Sequence, residues 1–503
     1  MHFSSSLVAE DKAPIQDHCG ILALIAPIDS PLFTTGLTAF KTLQTRGYDG
    51  AGFWAIDSTG KEYGFKGTGM IDAVFTPARV RKFSKIKARI WLFQNRYGTS
   101  GNFDPRNVQP FRREHFQKQE IFCLAHNGQF SKRKETDYLE QSDTATFADE
   151  LSNQEGNNWD ERLLNLLQKY TGAYSLIMAT QSEIFCARDA LGIRPFVFGK
   201  LTKNPPFTWI VASETAALKA IDAVNYKEIL PGTLLKFSAP KSATHDPICV
   251  QTVTTQKQRA YCIFENVYLM DESTQAHAPT TETREIRNHQ SINLVRFTTG
   301  RIMAREAPLS RKQVDFVCGI PGTGIVGGQG YANALMLPYV QAIADRTTPN
   351  KEQRTFMSAD VEGIFQKMYD HFEIASDMFK GRNVVLIDDS LVRGNVTKGL
   401  IKLLRNECGV SKVHIRILCP PVDKPCYLGI NTRNANELLA HKYHGNIRSM
   451  QRYIGADSLV FLSSEGLREA ITTNPKAKGF CMGCMQGYKP PITLYGKRQK
   501  TLV

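Results

Sequence analysis

Short apolar runs separated by turn residues dominate the first half of the chain. Gly20-Ile21-Leu22-Ala23-Leu24-Ile25 is one such run and Tyr174-Ser175-Leu176-Ile177-Met178 is another. From Cys19 to about Ala239 this pattern predicts a succession of short strands. Residues 240–257 are loosely patterned and predict a connection. After Arg259 the texture changes. Val314-Asp315-Phe316-Val317-Cys318 predicts a strand that runs into a Gly-rich stretch, residues 319–330. Asn383-Val384-Val385-Leu386-Ile387 is almost continuously apolar, as expected of a strand buried on both faces, and it ends in Asp388-Asp389. Leu400, Leu403 and Leu404 then recur at helical spacing, Gly409 supplies a stop, and Val413-His414-Ile415-Arg416-Ile417-Leu418 predicts the next strand. Strand, loop, helix, strand is a βαβ unit, so the second half should hold a parallel sheet. No internal repeat or low-complexity tract interrupts either half.

A chain of 503 residues suits two or three domains, and a 42% hydrophobic content excludes wholesale disorder. No apolar run is long enough to span a bilayer. Residues 1–18 carry Glu10, Asp11, Lys12 and Asp17 and no apolar core, so a signal peptide is not expected and a cytoplasmic location is. The net charge of +14 favours phosphate-rich partners, or is simply a solvated basic surface. Arg81-Lys82 and Arg112-Arg113 are only short pairs, so nucleic acid is not the expected partner. Eleven cysteines make an odd count that fits no disulfide framework. Most should pack as small hydrophobes.

Cys19 opens the first strand directly after the polar leader. If the leader is removed, Cys19 carries both a thiol and an α-amine of pKa ~7.7–8.0 that can act as base for it. A buried structural cysteine is the alternative at that position alone. Further segments follow in order: residues 43–52, with Arg46; Asn95-Arg96-Tyr97-Gly98-Thr99; Ala125-His126-Asn127-Gly128; Ser142-Asp143-Thr144; and residues 188–195, from Arg188 to Pro195. Together they resemble the glutamine amidotransferase domain of the N-terminal-nucleophile class over roughly residues 19–235. The resemblance implies that Cys19 is the nucleophile and that Asn127 and the Gly128 N–H form an oxyanion hole. It further implies that Arg46, Arg96 and Asp143 bind glutamine, with Arg96 on the α-carboxylate and Asp143 on the α-ammonium. One departure stands out: Phe93-Gln94 occupy the place of the family's Gly-His.

Asp388-Asp389-Ser390-Leu391-Val392-Arg393-Gly394-Asn395-Val396-Thr397 lies between the buried strand and a helix. Backbone N–H groups there suit a phosphate, and adjacent carboxylates suit ribose hydroxyls or Mg²⁺. The alternative is a pair of aspartates that end a strand and cap a helix. The longer string resembles the phosphoribosyltransferase signature of the amidophosphoribosyltransferase family, which combines the same two domains in the same order. That resemblance runs from Cys19 to about Pro491. It implies binding of phosphoribosyl pyrophosphate (PRPP) by Asp388, Asp389, Ser390, Arg393, Gly394, Asn395 and Thr397, with Arg354 on a covering loop and Lys367 nearby. Asp388, Asp389 and Thr323 would face Mg²⁺. Here the departures are denser. Asn395-Val396 replace a Thr pair, Pro321-Gly322-Thr323 lacks the family's acidic residue, and Met270-Asp271-Glu272-Ser273-Thr274 replaces Ala-Arg-Pro-Asp-Ser.

Cys481-Met482-Gly483-Cys484 is a two-residue spacer that by itself points to zinc or redox chemistry. Cys262 precedes Glu265-Asn266-Val267-Tyr268, and Cys426 follows Pro425. These contexts resemble those of the iron–sulfur type of the same family, which implies a 4Fe–4S cluster on Cys262, Cys426, Cys481 and Cys484. A four-thiolate zinc site is the competing assignment.

The expected layout is therefore a propeptide (1–18), a class II glutamine amidotransferase domain (19–250), a phosphoribosyltransferase domain (251–470) and a C-terminal segment with cluster ligands (471–503). In fold class this is α+β followed by α/β: an αββα N-terminal-nucleophile sandwich, then a type I phosphoribosyltransferase with a parallel sheet. The expected activity is release of ammonia from glutamine at Cys19 and its transfer to C1 of PRPP, in a homo-oligomer, dimer or tetramer. Two other readings remain open: a glutaminase serving a different phosphorylated acceptor, and a PRPP-sensing regulator or scaffold.

Overall fold

The computed structural model describes residues 19–97, 105–132, 142–201, 206–239, 247–252, 259–278, 290–346, 372–426, 428–430, 432, 434–486, 493–494 and 497–498. Alternation of inward and outward side chains builds the first half from two antiparallel sheets. One contains β1 (Gly20–Ser30), β2 (Gly50–Ile56), β3 (Glu62–Thr68) and β4 (Ala88–Arg96). The other contains β5 (Phe111–Glu114), β6 (Ile121–Lys132), β7 (Tyr170–Ala179) and β8 (Glu183–Arg188). The first sheet is completed by β9 (Val197–Lys200), β10 (Trp209–Ala212) and β11 (Val224–Glu228), in the order β11-β9-β10-β1-β4-β2-β3. The second runs β13-β12-β8-β7-β6-β5, with β12 (Thr233–Ser238) and β13 (Ile248–Thr252).

Ile21, Ala23, Ile25, Ile90 and Leu92 from one sheet meet Cys123, Ala125, Ile177 and Ala179 from the other in a common core. The outer faces are covered by helices. Phe33, Leu37 and Phe40 of α1 (Phe33–Lys41) pack on Phe53, Trp91 and Phe93. Two further helices, Asp143–Ser152 and Trp159–Leu167, cover the second sheet through Phe147, Leu151, Leu163 and Leu166. Each such buried side chain contributes about 1.5–3 kcal/mol. This is an αββα sandwich.

Residues 240–257 are more than a connection. They include β13, which pairs with β12 in the second sheet. It is an edge strand of five residues whose Ile248 is exposed, so it leaves no alternating apolar pattern to read.

The second half is built on four parallel strands in the order β15-β18-β19-β20: β15 (Phe316–Gly319), β18 (Asn383–Asp388), β19 (Lys412–Ile417) and β20 (Ser458–Phe461). Val384, Val385, Leu386 and Ile387 are fully buried, as their continuous apolar run requires. Helices Ile292–Glu306, Gly324–Leu335, Asn395–Asn406, Ile447–Ile454 and Ser464–Thr472 accompany the sheet. A short antiparallel ladder, β16 (Ile343–Asp345) with β17 (Phe372–Ile374), lies beside it. β14 (Tyr261–Cys262) pairs in parallel with β21 (Phe480–Cys481), so a strand from the middle of the chain holds the C-terminal segment.

The halves share a core. Leu191 and Ile193 of the sandwich pack among residues 260–264, and the Leu191 and Ile193 carbonyls accept from Ala260 N–H (2.9 Å) and Cys262 N–H (3.2 Å). Among the described residues, no helix is long and apolar enough to cross a membrane.

Candidate active sites

β1 and β4 run antiparallel with Gly20 opposite Asn95 and Ile21 opposite Gln94. Ile21, Ile90 and Leu92 face the core between the sheets, so the period of two places Gln94 and Arg96 on the same face. One further step along the register sets Cys19 beside Arg96. Asn95 points the other way: its Oδ1 accepts from Gly20 N–H (2.7 Å) and its Nδ2 donates to the Leu43 carbonyl (2.7 Å). It thereby ties the start of β1 to the loop that carries Arg46.

Across the gap, Cys123 and Ala125 of β6 face the same core, and Asn127 continues their face. Gly128 has φ +134°, and a Cβ there would lie 1.9 Å from the Ala173 carbonyl oxygen, so only glycine fits.

Cys19, Gln94, Arg96 and Asn127 therefore meet at one end of the sandwich, all buried. Several of their polar atoms have no partner: Gln94 Nε2 and Oε1, Arg96 Nε and Nη2, and Asn127 Nδ2 and Oδ1. Arg96 Nη1 alone is fixed, donating to the Asn107 carbonyl at 2.7 Å. Buried polar groups are normally hydrogen-bonded. So many unmet donors and acceptors in one place suit the polar groups of a small bound molecule.

Asp143 begins its helix after the Ser142 N-cap. Its carboxylate accepts from Phe130 N–H (2.8 Å), Gln129 Nε2 (3.0 Å) and Thr144 N–H (2.8 Å). Next to Asn127, His126 hydrogen-bonds Thr144 Oγ1 through Nδ1 (2.8 Å) and stacks on Phe130. Burial lowers its pKa to about 4, helped by the Arg194 charge and opposed by Asp143.

Arg46 likewise has one buried nitrogen, Nη1, without a partner. It lies fully buried between two carboxylates, bonded through Nε to Glu214 and through Nη2 to Glu265 at 2.8 Å. The neighbouring carboxylates outweigh burial and raise its pKa. Glu265 also takes Arg194 Nη1 at 3.0 Å, and Arg194 Nη2 donates to the Leu428 carbonyl at 2.6 Å. Glu214 and Gly429 carry no motif of their own, and Glu265 drew notice only as the context of Cys262; a residue beyond Arg46 by 168 or 219 positions cannot be paired with it by reading the chain.

In the second half, Asp388 ends β18 beside the loop of Thr323, which caps helix Gly324–Leu335; Ile320 N–H donates to the Ile387 carbonyl at 2.8 Å. These loops lie at the carboxyl ends of parallel strands, where open α/β sheets bind ligands. Burial and the Asp389 charge push the Asp388 pKa well up, and burial pushes Asp389 to about 6 despite Ser390 and Arg296. Ser390 Oγ donates to Asp389 Oδ1 at 2.7 Å.

Gly394 adopts φ +79° and leads into helix Asn395–Asn406, whose first turn includes Val396 and buried Thr397. Arg393 turns to Glu437, with Nε and Nη2 at 3.0 and 2.5 Å, and Asn395 Oδ1 accepts from Tyr453 (3.3 Å). Arg354 and Lys367 lie outside the described residues.

The four cysteines come together from three segments. Cys262 and Cys481 are register partners on β14 and β21. The Cys484 carbonyl accepts from Asp423 N–H (2.9 Å) and Lys424 N–H (3.1 Å), close to Cys426. Burial, followed by the proximity of the other thiols, raises the Cys484 pKa far above the usual thiol range; burial also raises Cys262, against the Arg194 charge, and pushes Cys481 up to about 12. Among the described residues, no three His, Cys, Asp or Glu side chains stand close enough to hold a single metal ion.

Fold and sites together define a glutamine amidotransferase of the N-terminal-nucleophile type joined to a phosphoribosyltransferase-like domain. The glutamine amidotransferase domain family matches residues 104–220. Amidophosphoribosyltransferases of Mus musculus and Drosophila melanogaster are 31% and 30% identical, covering 93% and 97% of this chain and 92% of each relative. A solved allosteric regulatory enzyme of purine biosynthesis superposes with TM-score 0.79 at 27% identity, over 95% of this chain and 97% of that one. The glutamine PRPP amidotransferase from B. subtilis, complexed with ADP and GMP, gives 0.78 at 26% identity over 96% and 99%. The chain belongs to the amidophosphoribosyltransferase family.

Proposed function

We propose that the chain hydrolyses glutamine at Cys19 and transfers the ammonia to C1 of PRPP, giving 5-phosphoribosylamine and pyrophosphate, the first step of purine synthesis. The observation that carries the first half-reaction is the convergence of Cys19 with the orphaned polar atoms of Arg96 and Asn127. The Cys19 α-amine, once exposed, takes the thiol proton as sulfur attacks the side-chain amide. Asn127 Nδ2 and the Gly128 N–H stabilise the oxyanion, and the leaving nitrogen takes the proton as ammonia. Water then releases glutamate from the thioester. Arg96 Nε and Nη2 offer two parallel donors to the substrate α-carboxylate. Asp143 keeps acceptor capacity for the α-ammonium.

In the second half-reaction ammonia attacks C1 and pyrophosphate leaves with the bonding electrons. Asp388 and Asp389 would hold ribose hydroxyls and Mg²⁺, whose charge would bring their raised pKa values back down. The N-terminus of helix Asn395–Asn406 faces the 5′-phosphate. A related phosphosugar is the second reading, favoured by Val396, which offers no hydroxyl, and by Arg393, which is committed to Glu437. A 4Fe–4S cluster on Cys262, Cys426, Cys481 and Cys484 would tie the C-terminal segment to both halves without taking part in the chemistry. A reducing, cytoplasmic setting fits cysteines that are all free.

The test is a product assay on anaerobically purified protein with glutamine and Mg-PRPP. Phosphoribosylamine should form, and Asp389→Asn should suppress it while sparing glutamine hydrolysis. The same sample should be brown, with about four iron and four sulfide per chain for a cluster of this type. Glutamine hydrolysis without any PRPP-dependent product sinks the acceptor assignment; a colourless protein sinks the cluster.

A further inference from the structure

The strand that carries Asn127 and Gly128 is backed by residues from both halves. Asn127 pairs in register with Ser175 of β7, and Ser175 Oγ donates to the Pro195 carbonyl at 3.2 Å. Arg194, the preceding residue, is buried, and its charge acts on His126. It spans two anchors: Nη1 meets Glu265, and Nη2 meets the Leu428 carbonyl at 2.6 Å. Gly429 follows with φ +105°. A Cβ there would lie 2.6 Å from Arg194 Nη2 and 3.2 Å from the Gly128 carbonyl carbon. The second half of the molecule therefore presses on the backbone of the oxyanion glycine, and Arg194 is the clamp that holds it there. Glu265 also holds Arg46, so the clamp reaches the loop tied to the start of β1.

We propose that Arg194 is a positioning residue for the oxyanion hole, acting with the Leu428 and Gly429 backbone to hold Gly128 where its N–H meets the developing oxyanion. This rests on the proposed glutamine chemistry and adds to it a part played by the acceptor half. Oxyanion donors act only on the transition state, so misplacing one lowers kcat and leaves ground-state binding alone. The two anchors of Arg194, Glu265 and the Leu428 carbonyl, are not residues of the acceptor loop 388–397.

The test uses the full-length protein with two variants, Arg194→Lys and Gly429→Ala. Lysine keeps the charge opposite Glu265 but cannot span both anchors. Alanine removes no charge; it crowds the clamp and strains a backbone held at φ +105°. For glutamine hydrolysis, kcat should fall by about tenfold or more in each, a fraction of the loss seen on deleting an oxyanion donor outright. KM for glutamine should stay within about threefold, and phosphoribosylamine formation from added ammonium salt within about twofold of wild type, since neither step uses the clamp. A rise in KM with kcat retained, unchanged kcat in both variants, parallel loss of the glutamine and ammonia reactions, or failure of both variants to fold would each overturn the proposal. A wild-type protein that cannot use ammonia sinks the acceptor assignment instead, and leaves the hydrolysis comparison standing.

Discussion

The two candidate sites differ in what their polar groups are doing. In the glutaminase half, Arg96, Asn127 and Gln94 are buried with polar atoms unpartnered. In the acceptor half, Arg393 is paired with Glu437, Asn395 with Tyr453, and Ser390 with Asp389. Leaving a buried donor or acceptor unmet costs about 1–3 kcal/mol, so the first site stores a cost that only a bound molecule relieves. The second has paired most of these groups from within, with Arg393 Nη1 alone of that guanidinium left unpartnered, and a phosphosugar would compete with those pairs. The glutaminase half is a rigid receptor, its residues fixed by strand register. The acceptor half is a set of loops at strand ends whose ligand groups are partly spoken for.

The largest test of this contrast removes the nucleophile. Cys19→Ala should reduce glutamine hydrolysis by at least about a thousandfold, because the covalent step has no substitute. The fold should survive, since a buried cysteine behaves as a small hydrophobe and the change removes one sulfur. Ammonia-dependent product formation should persist. If hydrolysis continues, or if the thermal midpoint collapses, the half is not the receptor described. Cys19 is buried rather than lying on an open cleft.

How much of this could be read from the chain depended on distance along it. The buried strand Asn383–Asp388, its terminal aspartates and the helix after Gly394 announce themselves because strand, loop and helix are contiguous. The site at Cys19 was legible because each contributing segment keeps a local motif. What escaped was long-range. Glu214 and Glu265 look like ordinary acids until folding sets them on either side of Arg46. Arg46 was expected on the substrate; its Nε and Nη2 are held by these two carboxylates, while its buried Nη1 has no partner. Gly429 has no motif, and β13 has no alternation. Periodicity reports which face of an element is buried; it does not report which distant element covers it.

A second test bears on the receptor half through acid. His126 is neutral when folded, with a pKa of about 4 set chiefly by burial, whereas an unfolded histidine titrates near ~6.5. Between those values the unfolded chain binds the extra proton, so stability is fully present above pH ~6.5 and falls as pH drops toward 4. Each such histidine contributes about 1.4 kcal/mol per pH unit over that window. Buried His277, also held well below its usual range, adds in the same direction. His126→Gln should flatten the fall in thermal midpoint between pH 6.5 and pH 4 by roughly one proton's worth. An unchanged slope would mean His126 is protonated in the fold.

The smallest effect sharpens the acceptor side. Val396 occupies the first turn of helix Asn395–Asn406, where an added hydroxyl lies near the positive end of the helix. Its side chain is only partly buried, packed against the edge of the core. Val396→Thr exchanges one methyl for a hydroxyl of similar shape, at a cost of about 1 kcal/mol or less at such a site. A hydrogen bond from that hydroxyl to a charged phosphate contributes about 1.5–3 kcal/mol if well formed. The net gain should lower KM for PRPP about three- to tenfold, with glutamine hydrolysis in the absence of acceptor unchanged. If KM for PRPP is unaffected while the thermal midpoint holds, the 5′-phosphate does not sit on this helix. The loop would then serve a ligand shaped differently from PRPP.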